Sequence, residues 1–70
     1  MNLRAAEVGI EYIVKEIKVD DNEMESFLFS LGCYASSPIT VISHLKGSCI
    51  VAIKDGRYCI DNQLAEGIII

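Results

Sequence analysis

The chain has 70 residues, of which 51% are hydrophobic, so it forms one small domain and is too apolar for a disordered chain. Ten acidic and six scattered basic side chains give a net charge of −4, which argues against nucleic acid and an anionic membrane as partners. No apolar run approaches the roughly 20 residues that span a bilayer, and residues 1–9 lack a secretory-signal pattern, so we expect a cytoplasmic protein without membrane insertion.

The first predicted strand covers residues 10–19 and changes its apolar side partway along. Ile13, Ile17 and Val19 share one face, whereas Ile10, Tyr12 and Val14 share the other. A bulge or a strong bend would explain this change of side. We therefore expect a long, bent first strand, which is a feature of small barrels.

A short helix is predicted next, over residues 22–32. Four large apolar side chains recur at helical spacing and share one face: Met24, Phe27, Leu28 and Leu31. Capping side chains stand at its start, Asp20, Asp21 and Asn22, and Gly32 can adopt the left-handed conformation that ends a helix. Because so short a helix does not persist alone in water, we expect the β segments on either side to cover its apolar face.

Two further strands are predicted over residues 39–45 and 48–54, joined by a turn at Lys46-Gly47. The second of these is nearly apolar throughout, which favours a strand covered on both faces. Asp55-Gly56 follows as the strongest hairpin signal, with both residues expected at positive φ in a type I′ turn.

The end of the chain contains a short strand over residues 57–60, a helical turn within 61–66 and a last strand over 68–70. Short strands with tight connections favour a curled sheet, because a flat one would expose both edges. We predict a mainly β fold over residues 1–70, a small and partly open antiparallel barrel of about five strands. The last strand closes it against the first, and the helix covers one end.

Side chains for chemistry are few, since there is one histidine and no phosphate-binding or zinc-protease motif. The three cysteines are widely spaced and odd in number, which favours reduced thiols in the cytosol. A metal site is one interpretation of His44, Cys49 and Cys59, which lie on neighbouring predicted strands and would suit zinc or ferrous iron. Packing of both cysteines into the barrel is the other interpretation.

Residues 27–32, Phe-Leu-Phe-Ser-Leu-Gly, and residues 64–70, Leu-Ala-Glu-Gly-Ile-Ile-Ile, resemble FeoA, the small cytoplasmic protein of bacterial ferrous iron transport. The same module is the C-terminal SH3-like domain of iron-dependent repressors. Leu31-Gly32-Cys33 matches the end of the family's helix, and residues 39–42 match the strand after its loop. Two arginines usual in the family are absent, with Phe27 and Asp61 or Asn62 at their places.

The resemblance implies an SH3-like barrel without enzymatic activity or cofactor, which docks on the cytoplasmic GTP-binding domain of the FeoB membrane transporter and modulates iron uptake. Tyrosine is enriched at interfaces, so the helix end and the following loop are the predicted docking patch. Its residues are Leu31, Cys33, Tyr34, Ser36 and Pro38. A protein that binds or senses ferrous iron or zinc through His44 with Cys49 or Cys59 is the alternative. Weak self-association is left open by the sequence.

Overall fold

The computed structural model describes residues 1–70 and contains six strands in two antiparallel sheets. The strands are β1 (Glu11–Ile13), β2 (Glu16–Ile17), β3 (Pro38–His44), β4 (Ser48–Ile53), β5 (Gly56–Asp61) and β6 (Ile68–Ile69). The helices are α1 (Asn22–Leu31) and α2 (Asn62–Glu66), and a 3₁₀ turn covers Leu3–Ala5. The predicted mainly β, SH3-like fold with a short helix after the first strand is confirmed, although the two sheets do not join into a closed barrel.

The bend predicted in the first strand is confirmed, and it lies between β1 and β2. The N–H of Val14 donates to the Ser37 carbonyl at 2.9 Å, and the N–H of Lys15 donates to the Ile69 carbonyl at 2.7 Å. β1 therefore pairs with β3, whereas β2 pairs with β6. The apolar side changes here because the chain passes from one sheet to the other.

The larger sheet has the strand order β1-β3-β4-β5, and in its central strand β4 only one face is fully buried. A register shift between Val41 and Ser43 marks a β-bulge in β3. In β4, buried residues alternate with partly exposed ones; the buried ones are Cys49, Val51 and Ile53. The prediction that this strand is covered on both faces was wrong for its outer face, where Ser48, Ile50 and Ala52 stay partly exposed.

The hairpin between β4 and β5 turns one residue earlier than predicted. Ile53 pairs with Gly56, so Lys54 and Asp55 are the central residues, and Lys54 has a φ of 53°. The expected positive φ at Gly56 was wrong. Gly56 is needed for space instead, because a Cβ there would overlap the side chain of Tyr58.

Helix α1 begins and ends where the capping residues predicted. The Asp21 carboxylate accepts the N–H of Glu23 at 2.8 Å, and Gly32 ends the helix in the left-handed conformation with a φ of 92°. Leu28 is the only buried side chain of the helix, since Met24 is 43% and Phe27 48% exposed. The prediction of a fully covered apolar face was therefore wrong.

The core receives side chains from several short segments as well as from α1, which contributes the buried Leu28 and the partly buried Leu31. Leu64 and Ala65 of α2 are buried, as are Leu3 and Ala6 at the 3₁₀ turn. The remaining buried apolar side chains come from the strands and from the loop after α1. They are Val14, Cys33, Ile39, Val41, Cys49, Val51, Ile53, Ile60, Ile68 and Ile70.

The last strand closes against the first, as predicted, through the β2–β6 pair. The N–H of Lys18 donates to the Gly67 carbonyl at 2.6 Å, and the N–H of Ile70 donates to the Met1 carbonyl at 2.8 Å. Residues from the two ends of the chain thus hold the second sheet together. Neither helix has the length and apolar character that crossing a membrane requires.

Candidate functional site

The loop after α1 is held in one conformation by Ser37, a buried residue that sequence reasoning did not single out. Its hydroxyl donates to the Tyr34 carbonyl at 2.6 Å and accepts the Tyr34 N–H at 3.0 Å. The N–H of Ser36 donates to the Val14 carbonyl at 2.8 Å, which fastens the loop to the bend of the first strand. The backbone of Tyr34 is therefore fixed from both sides.

The side chain of Tyr34 joins three elements at the surface. Its ring lies beside that of Phe29 on α1, with 5.1 Å between the ring centroids and 38° between the planes. The ammonium of Lys54, in the β4–β5 turn, donates to the Tyr34 hydroxyl at 2.7 Å. Phe29 is 65% exposed, the largest exposed fraction among the exposed large hydrophobic residues of the chain. We call this aromatic pair the Phe29–Tyr34 ridge.

Two open grooves flank the Phe29–Tyr34 ridge. The first has a volume of about 420 Å³ and lies between α1 and β2, with Glu16, Ile17, Glu25 and Ala35 among its lining residues. The second has a volume of about 590 Å³ and reaches the β4–β5 turn and Tyr58. A ridge between two open grooves suits contact with the surface of another protein better than enclosure of a small molecule.

Backbone strain is concentrated around this ridge. Only two non-glycine residues have positive φ, Ser36 at 79° and Lys54 at 53°. Ser36 lies two residues after Tyr34, and Lys54 binds its hydroxyl. At Ser36 this conformation costs about 1–3 kcal/mol and persists where surrounding contacts impose it, often at functional sites, whereas at Lys54 the two-residue hairpin turn requires it. The clustering marks the ridge as the candidate site.

The predicted docking residues differ in their exposure to solvent. Ser36 and Pro38 are exposed, Leu31 and Tyr34 are partly exposed, and Cys33 is 1% exposed. Cys33 thus lies beneath the first groove and offers almost no surface to a partner. It points inward because Gly32 turns the chain at the helix end. Burial raises the pKa of the Cys33 thiol to about 11.

Phe29 and Lys54 complete the site but were not predicted from sequence. Phe29 lies outside the apolar stripe of α1. An aromatic side chain in that position could have indicated a contact surface, because it is not needed for the core. Nothing in the sequence indicated that Lys54 contacts Tyr34, because the two residues are 20 positions apart. The short turn before Pro38 could have indicated Ser37, since serine hydroxyls bond nearby backbone groups in turns.

The three residues of the metal alternative do not come together. His44 lies opposite Cys49 in the β3–β4 register, but its Nε2 is 2.8 Å from the Ala6 carbonyl. Cys59 lies opposite Ile50, so it faces the other side of the sheet from Cys49. No group of three or more His, Cys, Asp or Glu side chains is arranged to hold a metal ion. Burial, followed by the nearby Cys59, raises the pKa of Cys49 and opposes its thiolate form.

The thiols should differ sharply in reactivity. In dilute native protein at neutral pH, we expect iodoacetamide to alkylate exposed Cys59 while Cys33 and Cys49 stay unmodified, because both are buried with raised pKa values. Mass spectrometry of peptides from native and urea-unfolded samples measures this directly. All three thiols should react after unfolding. Rapid native-state alkylation of Cys33 would contradict its position beneath the groove.

Comparison with known proteins gives matches over the whole chain. The family model described as FeoA domain matches residues 1–70. The crystal structure of an iron uptake regulatory protein, FeoA, is similar with a TM-score of 0.84 and 26% identity, over 97% of this chain and 91% of that one. No curated protein sequence matches the chain.

Two manganese-dependent transcriptional repressors also contain this fold. One has a TM-score of 0.87 at 24% identity, and the other, in complex with manganese, has a TM-score of 0.86 at 25% identity. Each similarity covers 97% of this chain but only 39% and 34% of the repressors. The chain therefore spans little more than a third of their length.

Proposed function

The chain belongs to the FeoA domain family, which is associated with ferrous iron transport, and on this premise we propose that it docks on the cytoplasmic GTP-binding domain of an FeoB-type transporter and modulates iron uptake. In this role it is a cytoplasmic accessory protein without enzymatic activity. The Phe29–Tyr34 ridge is the docking surface. The observation that carries the proposal is an aromatic pair at the surface, in which the 65% exposed Phe29 lies against the partly exposed Tyr34, with Ser36 at positive φ in the loop that holds Tyr34.

The ridge has the properties of an interface anchor. Aromatic side chains are enriched where binding energy is concentrated, and they bury much apolar area. Tyr34 is already held by Phe29, by Lys54 and by the fixed loop, so little conformational freedom is lost on docking. An ordered, half-exposed tyrosine beside a 65% exposed phenylalanine therefore favours association with a protein surface.

The charges around the ridge indicate the chemistry of the surface that it contacts. Glu16 and Glu25 line the first groove, and Glu25 forms no salt bridge in the chain. Glu16 lies 3.7 Å from Lys18, an exposed and weak ion pair. A partner with an apolar patch and basic side chains at its edge is complementary to these grooves.

Binding to the purified cytoplasmic domain of the transporter from the same organism tests the proposal, with isothermal titration calorimetry as the measurement. We expect Phe29→Ala and Tyr34→Ala each to weaken binding by about tenfold or more, as for aromatic anchors at an interface. Circular dichroism should show that both variants remain folded. Absence of binding by the unmodified chain would overturn the proposal.

Phe27→Ala is the matched control, because Phe27 is 48% exposed and lies about 200° around α1 from Phe29. Its removal should leave the affinity unchanged. A loss of binding with Phe27→Ala but not with Phe29→Ala would place the interface on the other side of the helix. His44→Ala should also bind normally, which separates docking from the metal alternative.

A further inference from the structure

The longest unpaired strand edge of the chain belongs to β5. This six-residue strand ends the larger sheet and pairs only with β4. Ile53 and Gly56 flank the two-residue turn and form a hydrogen-bonded pair, so by alternation Tyr58 and Ile60 also bond to β4. The backbone groups of Arg57 and Cys59 consequently point away from the sheet. An edge of this kind is a template for a further strand.

Two side chains along this edge carry opposite charges, Arg57 and Asp61, and each lies two residues from Cys59. Arg57, Cys59 and Asp61 are exposed and alternate with the partly or fully buried Tyr58 and Ile60. A twofold axis through Cys59 would place the edge of a second copy antiparallel to the first. Each arginine would then lie opposite the aspartate of the other copy, on the same face of the joined sheet.

Both charged groups are available for this pairing. Arg57 forms no salt bridge within the chain. Asp61 caps α2 through Oδ1, which accepts the N–H of Leu64 at 2.7 Å, and its second carboxylate oxygen has no partner in the chain. A guanidinium from another copy can therefore bind Asp61 without disturbing the cap.

We propose that a second copy of the chain adds to β5 as an antiparallel strand, with the twofold axis at Cys59 and two Arg57–Asp61 ion pairs between the copies. The edge is self-complementary, and this is the condition for an isologous dimer. An unrelated partner would have no reason to match a charge pattern that is symmetric about one residue. Backbone bonds join the strands, and the ion pairs set their register.

Sedimentation equilibrium of the reduced protein over a range of concentrations tests this arrangement. We expect a reversible monomer–dimer equilibrium in the unmodified chain. Arg57→Asp places a carboxylate opposite Asp61 at two positions and should raise the dimer dissociation constant by about tenfold or more. Lys15→Asp is the matched control, because it makes the same charge change at another exposed position and should leave dimerisation intact.

Crosslinking with a short bismaleimide reports the register of the strands. Hydrogen-bonded antiparallel residues have Cα atoms about 5.5 Å apart, so the two Cys59 thiols would be adjacent. Crosslinked dimer should form in the unmodified chain and in Lys15→Asp, and be lost in Cys59→Ser and Arg57→Asp. A monomer at all concentrations, or dimerisation weakened equally by both charge reversals, would overturn the proposal.

Discussion

Replacing Gly67 by alanine is expected to lower the free energy of unfolding by about 2–3 kcal/mol, as for overpacking in a filled site. A Cβ on Gly67 would lie 2.6 Å from the Lys18 carbonyl oxygen and 2.7 Å from Cγ1 of Val19. Lys18 directly follows β2, and its N–H donates to the Gly67 carbonyl at 2.6 Å, so its backbone can move away from Gly67 only by disturbing this bond. This loss is a large fraction of the total free energy of unfolding, which is roughly 5 kcal/mol for a domain of this size.

Urea unfolding followed by circular dichroism measures the effect, with Gly47→Ala as the control. A Cβ at Gly47 would meet nothing within 4 Å, and its φ is not in the left-handed region. Its replacement should change stability by less than about 0.5 kcal/mol. If Gly47→Ala and Gly67→Ala proved equally destabilising, the close approach of β6 to Lys18 could not be the cause.

The second large effect is expected for Leu28→Ala, which should destabilise the protein by about 2–4 kcal/mol. Leu28 is 0% exposed and is the only buried side chain of α1. Its removal would leave a cavity in the core and weaken the attachment of the helix, which would then rest mainly on the partly buried Leu31. Since α1 also carries Phe29, the Phe29–Tyr34 ridge should lose its fixed geometry together with stability.

Phe27→Ala provides the comparison, because Phe27 is larger than Leu28 but 48% exposed. We expect its replacement to cost less than about 1 kcal/mol in urea unfolding. Equal destabilisation by the two variants would mean that the whole apolar stripe of α1 is covered. That result would support the sequence-based prediction over the packing described above.

The ends of α1 could be predicted from sequence because they depend on contacts within a few residues. Asp21 bonds an N–H two positions away, and Gly32 ends the helix through carbonyls of the preceding turn. The order of the strands and the bend near Val14 were also predictable. Hydrophobic alternation records which side of a strand faces a core, so a change of side records a change of sheet.

The side of α1 that faces the core was predicted, since Leu28 and Leu31 pack there, but the extent of its burial was not. Helical spacing shows which side chains share a face, but not how much of that face the barrel can cover. The extent of burial depends on the residues that α1 packs against, and these are far away in sequence. The β4–β5 turn was misplaced because Asp55-Gly56 was taken as its central pair, whereas Gly56 already pairs with Ile53.

Part of the candidate site was within reach of sequence reasoning. Tyr34 was predicted from its residue type and its position after the helix. The contacts that hold it could not be found, because Lys54 reaches it from a different hairpin. The positive φ of Lys54 was missed because the turn was placed one residue too late, and that of Ser36 because serine does not favour this conformation.

The small β2–β6 sheet imposes an order on the folding of the chain during its synthesis. Strands β3, β4 and β5 are consecutive and joined by short turns, so they can pair soon after leaving the ribosome. β2 is made earlier but pairs only with β6, whose residues are Ile68 and Ile69. Until Ile68 and Ile69 emerge, Ile17 of β2 has no pairing partner, and a nascent chain stalled before them would expose it to chaperones and proteases.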